Sequence, residues 1–435
     1  MIVTKDYKDI RLVGAPPSAV GKFGGDTDNW VWPRHTGDFS LFRIYANKDN
    51  EPAEYSADNV PYQAPRHLEI NMNGVKEGDF TMVFGFPGRT EQHLVKKEVQ
   101  EVIEVINPMR LDMRSTSLRI IDNAMESSDQ LRIQYAAKQS RISNAYKKWI
   151  GQNKGLIELN VLQKKADEEE AYIKLSEAKG KSENVAALSK INELVEANKK
   201  YAQERALFIE YFYYGPEIIR FASAFENVLE NETGLKEKGK WEESLKGLES
   251  YAEGYFKNYD VAVDQELFAA MTGKYLDYSH MAANYPASSS VNALLKDAKK
   301  LSKAFDKSAF SSKAGVMGMI RGLQQKGSKK WAKVAAKDPF YQFAKVVNDA
   351  YWNDTRDVYT QNRSTIDEKM TLYVAQKMEL FPNRTFWSDA NSTLRLTFGK
   401  AEGSAPVDGM QYNTFTTSKG ILRKYIPGDK DFDLP

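Results

Sequence analysis

Proline divides this chain into three parts. Eight of the 15 prolines lie within residues 1–108, two within 109–338 and five within 339–435. Proline removes a backbone hydrogen-bond donor and clashes with the preceding helical turn, so it is excluded from helix interiors. The middle part is also rich in Ala, Glu, Lys and Leu, which favour helix. The sequence therefore predicts a β region, a long helical insertion and a second β region, in that order.

Alternating apolar and aromatic residues predict strands in the two outer parts. A strand is expected over 38–45, which is rich in aromatic and β-branched residues. Apolar and polar residues alternate over 68–72, which predicts a half-buried strand. A more fully buried strand is expected over 80–84, and another alternating segment, 393–398, follows the helical part.

Apolar residues at three- and four-residue spacing predict helices in the middle part. One apolar stripe includes Tyr135 and Ile142. A second helix is expected to start near Ser182, with the Ser182 side chain as its N-cap. Another is expected to start near Glu217, after a Gly-Pro pair that separates it from the preceding helix.

Composition excludes several classes of protein. Lys and Arg number 61 against 59 Asp and Glu, which leaves a formal net charge of +2 and argues against a nucleic-acid binder. No apolar run approaches the roughly 18 residues that a membrane-spanning helix needs. The absence of cysteine excludes disulfides, thiolate zinc sites and cysteine nucleophiles. The four histidines are scattered, so no metal site is predicted.

The segment 24–39, GGDTDNWVWPRHTGDF, is the strongest candidate for a functional site. It is a non-periodic loop rich in glycine, tryptophan and charged residues, and such loops often serve a site. Asp26 and Asp28 are expected to be turn-forming carboxylates that bind nearby backbone N–H groups. The alternative is a structural loop whose Trp30 and Trp32 fill a core.

Residues 13–23, VGAPPSAVGKF, and the segment GGDTDNWVWPRHTGDFSLFR after them resemble bacterial dipeptidyl aminopeptidases of the dipeptidyl-peptidase 7 and 11 type. These are chymotrypsin-like serine exopeptidases with a large helical insertion. Residues 78–90, 140–151, 255–271 and 391–435 are similar to the same family. The resemblance therefore extends along essentially the whole chain.

The resemblance implies an α+β fold, a partial chymotrypsin-like double β-barrel with a large inserted all-α domain. Residues 1–90 would form part of the β-barrel peptidase domain. Residues 91–388 would form the helical cap over the active-site cleft. Residues 389–435 would return to the second barrel and end before the nucleophile.

The resemblance also implies roles for individual residues. Asp38 corresponds to the triad aspartate, whose buried carboxylate orients the catalytic histidine. The side-chain carbonyl of Asn29, the backbone carbonyl of Trp30 and the side chain of Asn144 correspond to groups that hold the substrate's α-amine. Without the resemblance, Asn144 would be an ordinary exposed helical asparagine. His35, inside the same motif, is expected to be structural.

Two catalytic segments of the family have no counterpart in this sequence. The family's histidine lies in an N-H-H-C-G-type segment and its serine in G-N-S-G-S-P, and Ser404 has different neighbours. The start also lacks a signal-peptide pattern. We therefore expect an internal fragment, inactive by itself, whose catalytic His and Ser lie outside the chain.

By resemblance, the complete enzyme removes dipeptides from the free N-termini of oligopeptides through an acyl-enzyme, without a metal or cofactor. Family members are commonly homodimers that work in the periplasm or at the cell surface of Gram-negative bacteria. The alternative is a non-catalytic helical protein that binds peptide N-termini and has lost the triad.

Overall fold

The first and last parts of the chain belong to one structural unit, and the middle part forms another. The computed structural model describes residues 3–434. By residue contacts, the first unit consists of the residues up to 90 and those from 390 onward, and the second is Glu91–Asp389. The assignment of these units to a peptidase domain and its cap stays a prediction.

Helices make up most of the chain, and all but the first and last lie in the second unit. In chain order they are α1 (Ser18–Gly21), α2 (Lys96–Glu101), α3 (Asn107–Ser127), α4 (Asp129–Glu158), α5 (Val161–Ala178), α6 (Ser182–Phe208), α7 (Glu217–Ser223), α8 (Glu226–Glu230), α9 (Glu232–Glu237), α10 (Trp241–Lys257), α11 (Val261–Tyr278), α12 (Pro286–Leu295), α13 (Ala298–Lys307), α14 (Lys313–Lys326), α15 (Lys329–Ala335), α16 (Pro339–Trp352), α17 (Arg356–Leu380) and α18 (Ser418–Lys424). Single π-helical turns lie at Val102–Ile106 and Ile209–Tyr213, and a 3-10 turn at Ala282–Asn284.

The strands all belong to the first unit and form three small antiparallel sheets. They are β1 (Asp9–Gly14), β2 (Leu41–Ala46), β3 (Val60–Pro61), β4 (Phe80–Gly85), β5 (Arg395–Lys400), β6 (Ser404–Val407) and β7 (Met410–Tyr412). The sheet orders are β1-β2-β3, β4-β5 and β6-β7. These sheets do not close a barrel within residues 3–434, so the double β-barrel stays a prediction.

The helix predictions agree with the structure except at one cap. Tyr135 and Ile142 lie on α4 and are both buried. A helix starts at Glu217 as predicted. Ser182 is the first residue of α6 rather than its N-cap, since Lys181 occupies that position without a side-chain cap.

Two strand predictions are wrong in part, and one is wrong altogether. Residues 68–72 form no strand: Leu68 is 92% exposed, and the Asn71 side chain instead closes a turn by donating to the Gly74 carbonyl. The strand predicted over 38–45 begins only at Leu41. The strand at 80–84 is present but exposed. Within residues 3–434 its only partner is β5, and a two-stranded sheet leaves its faces uncovered.

The apolar core lies in the second unit. Its larger cluster joins helices α3, α4, α7, α11 and α16 and includes stacked aromatic rings, as between Tyr211 and Tyr275 at 4.4 Å. A smaller cluster joins α2, α5, α6 and α17 around Tyr172 and Tyr373. In the described part of the first unit, by contrast, the buried apolar residues are only Phe23, Ala46 and Ala390.

A buried aspartate caps helix α7 from the neighbouring α11. The Asp264 carboxylate accepts the backbone N–H groups of Glu217 and Ile218 and the Tyr259 hydroxyl. Burial, followed by the negative charge of Glu217, raises the pKa of Asp264 to about 7. The same carboxylate therefore fixes the start of α7 and is costly to ionise.

We expect Asp264→Asn to remove a pH dependence of stability. A carboxyl whose pKa rises from 3.8 to about 7 on folding stabilises the protein fully below about pH 4, and that contribution is lost as the pH rises to about 7. As the pH rises over this range, the free energy of unfolding of the wild type should therefore fall relative to that of Asp264→Asn, by up to about 1.4 kcal/mol per pH unit. Urea unfolding followed by circular dichroism measures it, with Asp277→Asn, an exposed aspartate of α11, as the control.

Candidate functional site

Two glycines allow the loop at 24–39 to fold tightly onto acidic side chains. Gly24 and Gly25 have φ of +82° and +39°, in the left-handed region that favours glycine. A Cβ on Gly24 would lie 2.6 Å from Oδ2 of Asp28, and a Cβ on Gly25 would overlap the Asp431 carboxylate. Larger residues at either position would therefore displace the loop.

The loop is held by residues from the far end of the sequence. The backbone N–H and hydroxyl of Thr27 donate to the Asp431 carboxylate at 3.3 and 2.7 Å. The buried Asp28 carboxylate accepts from Nζ of Lys424 at 2.6 Å, while the Asp28 carbonyl accepts from Arg34 at 2.8 Å. The prediction that the Asp28 carboxylate binds nearby backbone N–H groups is wrong, because this carboxylate accepts from the Lys424 ammonium instead.

Asn29 and Trp30 lie in a turn at the surface of the first unit. The backbone N–H of Asn29 donates to the Asp26 carbonyl at 3.2 Å. Trp30 is 60% exposed and has a left-handed φ of 62°. Trp32 is 54% exposed, so the alternative that both indoles fill a core is wrong. The turn presents Asn29, which is half-buried, and the Trp30 backbone at the edge of the loop.

Asp38 is exposed, unlike the buried carboxylate that the resemblance implies. It lies three residues before β2, and within residues 3–434 its carboxylate has no hydrogen-bond or ion-pair partner. His35 is half-buried against Gly420, and burial, followed by the charge of Lys424, lowers its pKa. Its Nδ1 has no hydrogen-bond partner in the described part of the chain.

Asn144 lies on the exposed side of α4, directly after two buried residues, Ile142 and Ser143. Asn29, Trp30 and Asp38 belong to the first unit and Asn144 to the second. Asn144 lies within helix α4, whereas the other three residues lie in the loop before β2. Their convergence on one substrate stays a prediction.

A buried arginine fixes α4 just before Asn144. Arg114, on α3, donates through Nε and Nη2 to the Glu210 carboxylate and through Nη1 to the Ile142 carbonyl at 2.9 Å. Its guanidinium lies 4.6 Å from the Trp149 ring centroid and 4.1 Å from that of Tyr214. The Arg114 guanidinium thus connects α3, α4 and the π-helical turn that contains Glu210.

Sequence reasoning missed the pair of Arg114 and Glu210, because 96 residues separate them and neither belongs to a recognisable motif. Burial raises the pKa of Glu210, and the Arg114 charge opposes that shift. A second arginine, Arg110, also pairs with this carboxylate, with its Nε 3.8 Å from Oε1 of Glu210. Arg114 makes the hydrogen bonds, so without it the buried carboxylate would keep only this longer contact.

We expect Arg114→Met to destabilise the chain by about 3 kcal/mol, because it leaves the buried Glu210 carboxylate with only its longer contact to Arg110. Adding Glu210→Gln should recover part of this loss. Arg119→Met, at an exposed arginine of the same helix, is the control and should change stability little. Equal losses for Arg114→Met and the control in chemical unfolding would contradict the assignment.

Several classes of site are not found in the described residues. Across residues 3–434, His, Cys, Asp and Glu form no group of three or more that could hold a metal ion. None of the helices described over this range combines the length and apolarity needed to cross a bilayer.

The whole chain matches one known family, and its relatives are peptidases. The sequence model of the family described as Peptidase S46 matches residues 1–435. An Asp/Glu-specific dipeptidyl-peptidase of Capnocytophaga gingivalis is 38% identical over 443 residues, covering 100% of this chain and 60% of the relative. Dipeptidyl-peptidase 7 of Phocaeicola vulgatus is 34% identical over 444 residues, with the same two coverages.

Solved structures are similar to this chain over almost its whole length. A crystal structure of Porphyromonas endodontalis DPP11 in complex with the dipeptide Arg-Glu is similar to this chain with a TM-score of 0.82 at 30% identity. The similarity covers 99% of this chain and 60% of that one. The chain thus spans about 60% of the length of the relatives that it matches.

Proposed function

Because this chain belongs to the Peptidase S46 family, we propose that it is part of a serine exopeptidase that releases dipeptides from the free N-termini of oligopeptides through an acyl-enzyme. The observation that carries this proposal is the family match over residues 1–435. The chain spans about 60% of its relatives, so we assign the activity to a longer protein. In that protein the catalytic His and Ser come from outside these 435 residues.

Exposed apolar strands in the first unit support a longer enzyme. The β4-β5 register pairs Met82 with Phe398 and Phe84 with Leu396, so these side chains share one face with Phe80. All five are exposed. An apolar face of this kind normally packs against further chain. We propose that it is covered by the remaining strands of the peptidase domain, for which the second unit is the inserted cap.

In the proposed mechanism Asp38 acts through the catalytic histidine. Its carboxylate accepts the Nδ1–H of that imidazole, selects the tautomer whose Nε2 takes the serine proton, and stabilises the imidazolium. The exposed position of the Asp38 carboxylate, without a partner within residues 3–434, leaves it accessible to a histidine from another segment.

We propose that oxygen atoms of three residues hold the substrate's ammonium. Asn29 and Asn144 offer side-chain carbonyl oxygens, and Trp30 offers its backbone carbonyl. Neutral acceptors bind an ammonium more weakly than a carboxylate pair would, so the dipeptide product can leave. Because the ammonium belongs to the first residue of the peptide, this site would restrict cleavage to the N-terminal dipeptide.

In the longer enzyme, Asp38→Asn should lower kcat about 10⁴-fold with little change in KM, since the histidine loses its correct tautomer. Asp58→Asn, at another exposed aspartate of the first unit, should leave kcat nearly unchanged. A dipeptidyl fluorogenic substrate measures both, and the 435-residue chain alone should give no turnover. Turnover by that chain, blocked by a serine-directed inhibitor, would refute the proposal that the triad is incomplete here.

Asn29→Ala and Asn144→Ala should each remove one charge-assisted hydrogen bond, a loss of about 1.5–3 kcal/mol in kcat/KM. The loss should be confined to peptides with a free α-amine, because an acetylated amine offers at most one donor. The two losses should be non-additive, since both residues bind one ammonium. Asn284→Ala, at an exposed asparagine of the second unit, is the matched control.

The readout is kcat/KM for the free and the acetylated form of one peptide in each variant of the longer enzyme. An unchanged preference for the free amine in Asn144→Ala would show that Asn144 is an ordinary surface residue. Strictly additive losses would show that the two asparagines bind different groups.

A further inference from the structure

A cavity of about 170 Å³ opens in the second unit between α4 and α7. Its apolar wall includes Tyr135, Ile142 and Leu267, all buried. Its volume is that of roughly six water molecules at liquid density, enough for a small polar side chain. Every residue that lines it belongs to the second unit, so this cavity exists independently of the first.

Positive charge predominates in the cavity. Lys138, Arg141 and Arg220 line it, against one carboxylate, that of Glu217. Lys138 is already neutralised, because its Nζ lies 2.7 Å from Oε1 of Glu217. The nearby Asp264 does not line the cavity and binds the start of α7 instead.

Two arginines supply the excess charge. Within residues 3–434, neither Arg141 nor Arg220 has an ion-pair partner, and both are exposed residues that line the cavity. The Arg220 guanidinium lies 5.0 Å from the ring centroid of Tyr213, which also lines the cavity. Guanidinium groups bind carboxylates through two parallel hydrogen bonds, and aromatic walls strengthen such contacts by limiting access of water.

The position of the cavity on α4 links it to the amine site. Arg141 and Asn144 are three residues apart on this helix, so their Cβ atoms are neighbours about 5–6 Å apart. In a peptide that begins with Asp or Glu, the α-amine and the side-chain carboxylate are separated by only a few bonds. One such residue can therefore reach both groups.

We propose that this cavity binds the side-chain carboxylate of an acidic first residue, so that the enzyme accepts peptides beginning with Asp or Glu. Arg141 and Arg220 bind the carboxylate, and Lys138 with Glu217 shapes the cavity floor. The assignment to substrate rests on the proposed function, in which Asn144 holds the adjacent ammonium. The carboxylate site itself requires only the second unit.

The first experiment tests the carboxylate site without the amine. Isothermal titration calorimetry of the 435-residue chain compares N-acetyl-glutamate α-amide with N-acetyl-glutamine α-amide. The glutamate probe should bind saturably and at least about tenfold more tightly than the glutamine probe, because only it forms charge-assisted bonds to both arginines. Equal affinities, or no binding of the glutamate probe, would overturn the proposal.

Substitutions of the two arginines test whether Arg141 and Arg220 form the carboxylate site. Arg141→Gln and Arg220→Gln should each weaken binding of the glutamate probe roughly ten- to a hundredfold. Arg141→Lys should retain part of the affinity, since it keeps the charge but loses the bidentate geometry. Arg321→Gln, at an exposed arginine of α14, should bind like the wild type. Unchanged binding in both arginine-to-glutamine variants would refute the site.

A second titration separates this proposal from the proposed function. Glutamate α-amide, which carries a free amine, should bind more tightly than its acetylated form, and Asn144→Ala should abolish that gain. If the acetylated probe binds through the arginines but the free amine adds nothing, the carboxylate site stands and its link to the amine site is refuted. If the free amine strengthens binding but the side-chain carboxylate and the two arginines do not, the amine site stands and the carboxylate site is refuted.

Discussion

The ion pair of Arg114 and Glu210 holds together the part of the helical unit that carries Asn144. Both side chains are almost fully buried, which would be costly if the charges were not compensated. Compensation comes from two hydrogen bonds to the carboxylate and one to the Ile142 carbonyl. Glu210 lies in a π-helical turn, and such turns are frequent at functional sites. The surface of α4 that carries Asn144 is thereby anchored to α3 and to the segment after α6.

The loop of the first unit depends on a different kind of support. Lys424 and Asp431 contribute the charges that hold Asp28 and Thr27, about 400 residues earlier in the chain. The turn at Asn29 therefore owes its shape to the far end of the sequence and to two glycines that allow close approach. With only three buried apolar residues in its described part, the first unit is held mainly by such polar contacts.

In the proposed recognition, the ammonium and the side-chain carboxylate of the substrate's first residue are bound by different kinds of group. Neutral carbonyl oxygens would hold an ammonium that must later leave, whereas two arginines would hold an acidic side chain at the cavity mouth. The asymmetry follows from chemistry, since a guanidinium matches a carboxylate in shape and charge. The two proposed contacts would also have different tasks. The amine contact would limit cleavage to the chain end, and the arginine contact would select which chain ends are accepted.

Proline exclusion, periodicity and a long local motif predicted the helical middle part, strands near the observed Phe80–Gly85 and Arg395–Lys400, and the family, because these signals are properties of neighbouring residues. The sequence by itself did not determine what those elements touch. The strand expected over 68–72 did not form, since alternation specifies a strand only where a partner is available. Tertiary packing sets three further features: Lys424 as the partner of Asp28, the Arg114–Glu210 ion pair, and the lining of one cavity by both Arg141 and Arg220. Each involves residues far apart in the chain, which only the packing of whole helices and loops brings together.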